Sequence, residues 1–191
     1  MSVAGLVLAA GAGRRYGMPK ALVEHEGRLL ADHAAATLRD AGCDRVLVVL
    51  GAAADEVLAK AADLPDTVVN PDWQTGMGSS LRTGLTALEE TDATAAVVLL
   101  VDMPGVTAEA VRRITAHASP AALVMGGYRE RRGHPVLLGR EHWAGVAATA
   151  VGDRGARDYL RTHEVLIVEV GDVADDEDRD VPGNLSAVDD H

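Results

Sequence analysis

The chain has 191 residues, 48% of them hydrophobic, enough to bury a sizeable core, and its whole length, 1–191, falls in the size range of a single domain. A formal net charge of −11 argues against a general nucleic-acid binder or a protein that works on anionic membranes, because neither surface would attract it. The single Cys43 has no intramolecular disulfide partner, and residues 1–5 run straight into an apolar segment without a charged, then apolar, cleavable leader, so a cytoplasmic protein is expected.

The apolar run 3–9 reads as a first strand, and it feeds directly into Leu8-Ala9-Ala10-Gly11-Ala12-Gly13-Arg14-Arg15-Tyr16-Gly17-Met18-Pro19-Lys20. Glycines let backbone N–H groups close on phosphate oxygens, while a point-charge Lys and a forked Arg neutralise the remaining charge. Gly11, Gly13 and Gly17 are spaced one residue wider than the dinucleotide G-x-G-x-x-G, and the next predicted strand, 45–50, ends in Gly51-Ala52-Ala53 where that motif would carry an acidic ribose ligand. A Walker A loop is excluded too, since Pro19 precedes Lys20 and no Ser or Thr follows it. The loop therefore reads as a cradle for a nucleoside triphosphate.

Further strands are predicted at 66–69, 95–101, 121–126, 134–138 and 164–170, and helices at 29–41, 53–62, 79–90, 107–118, 140–149 and 153–162. Gly42 stops the first helix, and Thr107 and Asp153 are placed to cap theirs. This alternation predicts an α/β, three-layer sandwich around a mostly parallel, Rossmann-like sheet. Asp102 follows the most hydrophobic run, 95–101, and so belongs at the carboxyl end of a central strand, the edge where open α/β sheets bind ligands. A carboxylate there is costly unless it is paired or bound to a cation, which makes it a candidate Mg²⁺ ligand. None of the 7 His has zinc-cluster spacing, and no G-x-S-x-G nucleophile motif occurs. The acidic stretch 171–191 has the composition of a disordered tail.

The loop, together with Asn70-Pro71-Asp72-Trp73-Gln74-Thr75-Gly76-Met77, Ser79 to Leu85, Asp102-Met103-Pro104, Arg132-Gly133-His134-Pro135, Gly152 to Arg157 and Asp178-Arg179-Asp180-Val181-Pro182, resembles the MobA-like nucleotidyltransferases, and within them the molybdenum cofactor cytidylyltransferases. The resemblance implies a fold of the nucleotide-diphospho-sugar transferase type and Mg²⁺-dependent transfer of CMP from CTP to a small phosphorylated acceptor, molybdopterin; separately, with no Phe, 2 Trp and 3 Tyr to build an aromatic-rich interface, a monomer is expected. It implies that Leu8, Ala9, Ala10, Gly11, Gly13, Gly76 and Ser80 hold the nucleotide. Arg15 would meet its β/γ-phosphates, Lys20 its α-phosphate, and Asp102 and Asp180 the metal. His134, Asp153 and Arg157 would face the acceptor. Two residues stay open on the sequence: Ser80 suits the base or the N-cap of its helix, and His134 suits a ligand contact or a hydrogen bond before a strand. Ala10, where the guanylyl branch carries Gly, favours CTP over GTP. Some MobA-like proteins are described as dye or nicotine-pathway oxidoreductases using a nicotinamide cofactor, which leaves an NAD(P)-dependent redox enzyme as the alternative.

Overall fold

The computed structural model describes residues 1–178. The chain runs through β1 (Val3–Ala9), a two-residue hairpin β2 (Glu24–His25) and β3 (Arg28–Leu29), α1 (Leu30–Asp40), β4 (Arg45–Leu50), α2 (Ala54–Lys60) and β5 (Asp66–Val69). It continues with α3 (Met77–Glu89), β6 (Ala95–Leu100), α4 (Ala108–Thr115), β7 (Leu123–Tyr128), β8 (Arg131–Gly139), α5 (Trp143–Thr149), α6 (Arg157–Arg161) and β9 (Leu166–Glu169).

Among these residues a seven-stranded sheet has the order β5-β4-β1-β6-β8-β7-β9. All strands run parallel except β8, which is antiparallel to both of its neighbours. The central strands are apolar throughout because both of their faces are covered. Val7 and Ala9 of β1, with Val97 and Leu99 of β6, pack under α1 and α4. Leu6 and Leu8 of β1, with Ala96 and Val98 of β6, pack under α3, α5 and α6. Gly84 lets α3 come close to that second face, since a Cβ there would stand 2.6 Å from the Leu6 side chain.

The expected strands and helices are all present; β1, β4 and β5 have the expected ends, and the others are shifted at one or both ends. Thr107 caps α4 as expected, its side chain accepting from the Ala110 N–H at 3.2 Å, and Gly42 follows α1 with φ +91. Asp153 does not cap the helix that follows it. It lies in a 3-10 turn, Gly152–Arg154, and α6 begins only at Arg157, because Gly155 takes φ +54 and separates the two. The segment from Gly171 to Asp178 is held against the body rather than loose. Arg113 forms a two-pronged pair with Asp172, the Asp175 N–H donates to the Gly105 carbonyl at 3.0 Å, and Arg131 pairs with Asp176 at 2.9 Å. Cys43 is half-buried, and its thiol is pushed up to about 12 by burial and by Asp44, so it is no nucleophile. Among the described residues no helix is long and apolar enough to cross a membrane.

Candidate active site at the carboxyl edge of the sheet

The loop after β1 is shaped by one glycine above all. Gly13 has φ +61, and a Cβ on it would fall 1.9 Å from the Met18 carbonyl oxygen, so this turn admits no side chain. The Gly17 N–H closes the turn by donating to the Gly13 carbonyl at 2.8 Å. The chain then enters a 3-10 turn, Lys20–Leu22, whose Ala21 and Leu22 are buried and fix the backbone that carries Lys20. The Lys20 ammonium donates to Asp102 Oδ2 at 2.7 Å. Both side chains are largely sequestered, at 15% and 17% exposure, so the charges meet where water screens them poorly. Asp102 stands just past β6, as expected of a carboxylate at the end of a central strand.

A cavity of about 400 Å³ opens over this edge. Leu8, Ala10, Gly11, Gly13, Arg15 and Lys20 line one part of it, and Gly76, Ser80, Asp102 and Asp153 line the rest. Arg14, whose side chain could equally have faced away, also borders it. Ala9 does not: strand alternation turns it to the opposite face, where it packs into the core beneath α1. Neither Ser79 nor Ser80 caps α3, which starts at Met77 with Gly76 at its cap position. The helix begins two residues earlier than expected, which places both serines inside its first turn, buried.

A second cavity, about 490 Å³, lies on the other side of Asp102. It exists because β8 is antiparallel: its amino-terminal half rises to the same edge as the carboxyl ends of β1 and β6, bringing Arg132 and His134 beside Asp102. The start of α6 adds Arg157, and the segment after β9 adds Asp176 and Asp178. Asp102 and Asp153, with Leu8, Met77 and Leu100, border both cavities, and the three expected acceptor residues, His134, Asp153 and Arg157, share the second. Instead of capping its own helix, Asp153 accepts from the Met77 N–H at the start of α3, at 3.4 Å. Of the neighbouring Arg131 and Arg132 at the start of β8, Arg131 is engaged by Asp176 and Arg132 lines the second cavity.

Burial lowers the His134 imidazole from 6.5 to about 4, against the opposing pull of Asp102 and Asp176 and with Arg157 adding to the depression. The ring is therefore neutral at physiological pH. Because the folded value lies below the unfolded one, the unfolded chain takes up this proton first as pH falls. The full stability is present above pH 6.5 and is lost towards pH 4, by about 3 kcal/mol from this group. Thermal melts of His134→Gln should lack that part of the decline between those two pH values; superimposable wild-type and variant curves would count against it.

Several side chains around the site carried no assigned role on sequence. Trp73 and Gln74 line the first cavity, Met77 both, and Asp176 the second. Trp73 and Met77 lie inside a quoted motif, but nothing in a linear pattern says which of its residues turn inward. Asp180, the second expected metal ligand, lies outside the described residues. Among the described residues no three His, Cys, Asp or Glu side chains converge as a ready-made cage. What the site offers is Asp102, a hard oxygen donor beside a cavity lined by a glycine loop with Arg14, Arg15 and Lys20, and such a carboxylate suits a divalent cation held by one or two carboxylates plus further oxygens.

Comparison with known proteins gives the family and the fold. Nicotine blue oxidoreductase of Paenarthrobacter nicotinovorans is 39% identical over 189 residues, covering 93% of this chain and 92% of that protein. The crystal structure of Rv0371c from Mycobacterium tuberculosis superimposes with a TM-score of 0.78 at 30% identity, covering 89% of this chain and 88% of that one, and the same protein has been solved in complex with manganese. The 2-C-methyl-D-erythritol 4-phosphate cytidylyltransferase of Thermus thermophilus shares the fold at a TM-score of 0.66 and 19% identity, with 92% of each chain covered. The model of the MobA-like NTP transferase domain matches residues 5–167, and the chain belongs to that family.

Proposed function

We propose that this chain transfers CMP from CTP to a small phosphorylated acceptor of the molybdopterin type and releases pyrophosphate. The observation that carries the proposal is the pair of chambers meeting at Asp102 and Asp153, one lined by the glycine loop and its cations, the other by His134, Arg132 and Arg157. Two anionic substrates brought together need such a division, because catalysis of phosphoryl transfer is mostly positioning and neutralisation. An acceptor phosphate oxygen attacks the α-phosphorus in line, the new P–O bond forms as the bond to the bridging α–β oxygen breaks, and pyrophosphate leaves. Arg15 receives the β- and γ-phosphates, and Lys20, released from Asp102 Oδ2, turns to the α-phosphate. Asp102 and Asp180 are the proposed ligands of Mg²⁺, which when bound neutralises the triphosphate oxygens. Arg157 holds the acceptor phosphate, while neutral His134 can hydrogen-bond the acceptor without adding charge.

The test is transfer of label from α-labelled CTP or GTP to the pterin acceptor with Mg²⁺ or Mn²⁺. Label moving from CTP supports the proposal, label moving from GTP alone corrects the base, and no pyrophosphate release from either overturns it. Lys20→Ala should lower turnover by at least about tenfold with the melt of a folded protein retained, the scale of one lost charge-stabilising contact; an unchanged rate removes Lys20 from the chemistry.

A second reading, an oxidoreductase acting on a dye with NAD(P)H, is favoured by 39% identity over nearly the full chain to nicotine blue oxidoreductase. It predicts dye-dependent loss of NADPH absorbance without pyrophosphate release. Against it stand Lys20 and Asp102 at the core of the site, which hydride transfer does not need.

A further inference from the structure

We infer that Asn70 fixes Ser80 as a hydrogen-bond donor to the base in the first cavity, which must meet it with a carbonyl or ring-nitrogen acceptor. This rests on the nucleotide reading of that cavity and adds a positioning residue to it.

The polarity follows from a closed set of hydrogen bonds. The Asp72 backbone N–H, which can only donate, reaches Asn70 Oδ1 at 2.9 Å. That bond settles the orientation of the Asn70 amide and leaves Nδ2 as its donor end. Nδ2 has two protons, and it spends both on serines: Ser79 Oγ at 2.8 Å and Ser80 Oγ at 3.0 Å. Ser79 passes its own proton to the carbonyls of Asp72 and Gly76, at 3.0 and 2.9 Å. Ser80 has its oxygen engaged by Asn70, and among the described residues its O–H donates to no protein acceptor.

Ser80 is 3% exposed and borders the cavity. A buried hydroxyl with an uncommitted proton is costly unless something in the cavity accepts it. The other uncharged side chains on this lining that can donate, Gln74 and Trp73, are exposed and half-buried respectively, so neither imposes a comparable demand. Phosphates have cations of the loop to meet them. A neutral, oriented donor suits instead the edge of a base, such as O2 or N3 of cytosine.

The experiment compares the affinities of CTP and inorganic tripolyphosphate, with Mg²⁺, by calorimetry in four proteins: wild type, Ser80→Ala, Ser79→Ala and Asn70→Asp. Ser80→Ala should weaken CTP about five- to tenfold and leave tripolyphosphate within about twofold, the scale of one hydrogen bond. Asn70→Asp keeps the size of the side chain but turns both ends into acceptors, which draws the Ser80 proton away from the cavity, and should weaken CTP at least as much. Ser79→Ala breaks the same network and the same tie to the 72–76 loop but shows nothing to the cavity, so both affinities should hold. Equal losses in Ser79→Ala and Ser80→Ala, or a loss shared by tripolyphosphate, would make the network purely structural and overturn the inference, even if Asn70→Asp fails to fold. Wild-type protein that binds tripolyphosphate as tightly as CTP would instead overturn the nucleotide reading beneath it.

Discussion

Asp102→Asn should cut nucleotidyl transfer by about a thousandfold while leaving a folded protein. The size follows from where the side chain sits: just past β6 and bordering both chambers, where the proposed reaction brings an acceptor oxygen and a triphosphate together. Removing one electrostatic group from such a position typically costs a factor of about 10²–10³. The amide is nearly isosteric, so the cavity keeps its shape, but it can neither balance the Lys20 ammonium at 2.7 Å nor act as an anionic ligand for a divalent cation. Stability should fall by about 1–3 kcal/mol, between the values for exposed and fully buried pairs, because Lys20 loses a sheltered partner yet stays close to water. Initial rates of pyrophosphate release at saturating CTP and acceptor, beside thermal melts, separate the two effects. A variant with more than about a tenth of the wild-type rate would show that the carboxylate is only a structural partner of Lys20.

The parts of this site that were legible in the sequence are those specified locally. β1, β4 and β6 announce themselves because strands covered on both faces must be apolar at nearly every position. The glycine loop and Asp102 could then be placed at one edge by strand direction alone. The rest depends on which strands pair, and no local pattern carries that. β8 was expected at 134–138; its longer span, Arg131–Gly139, is interrupted by Gly133 and Pro135, which break the alternation, and its antiparallel course is set by the hairpin with β7. Only that course brings His134 to Asp102 and so makes the second chamber. Asp153 shows the same limit in small. Its position in Gly152-Asp153-Arg154 satisfies the local rule for a helix cap, yet the left-handed Gly155 separates it from α6 and its carboxylate serves the start of α3, 76 residues earlier in the chain. Asn70, followed by Pro71 and Asp72, has the local form of a turn residue, and its two serine partners become visible only when α3 folds back beside it.

Gly13→Ala should abolish the stabilisation of the protein by CTP and Mg²⁺ while leaving the core folded. The added methyl would stand 1.9 Å from the Met18 carbonyl oxygen and 3.3 Å from the Lys20 nitrogen. Its first clash is with backbone, so no rotamer change relieves it, and φ +61 is itself unfavourable for alanine. The loop must open, and with it goes the short path from Gly13 to Gly17 to Lys20 that holds the ammonium over Asp102. Of this loop's inner turn only Tyr16 packs against the apolar clusters on either side of the sheet, and only as a partly buried neighbour, so the melt of the unliganded protein should shift far less than the liganded one. Wild-type protein at a hundred times its dissociation constant should gain about 2.7 kcal/mol from the nucleotide, and the variant close to nothing. Gly11→Ala is the control from the same loop: a Cβ there meets nothing within 4 Å, so the fold should accept it, and any loss of CTP reports only the methyl's intrusion into the cavity. If Gly13→Ala kept the full nucleotide shift, the turn would be a structural bend and the phosphates would have to be held elsewhere along the edge.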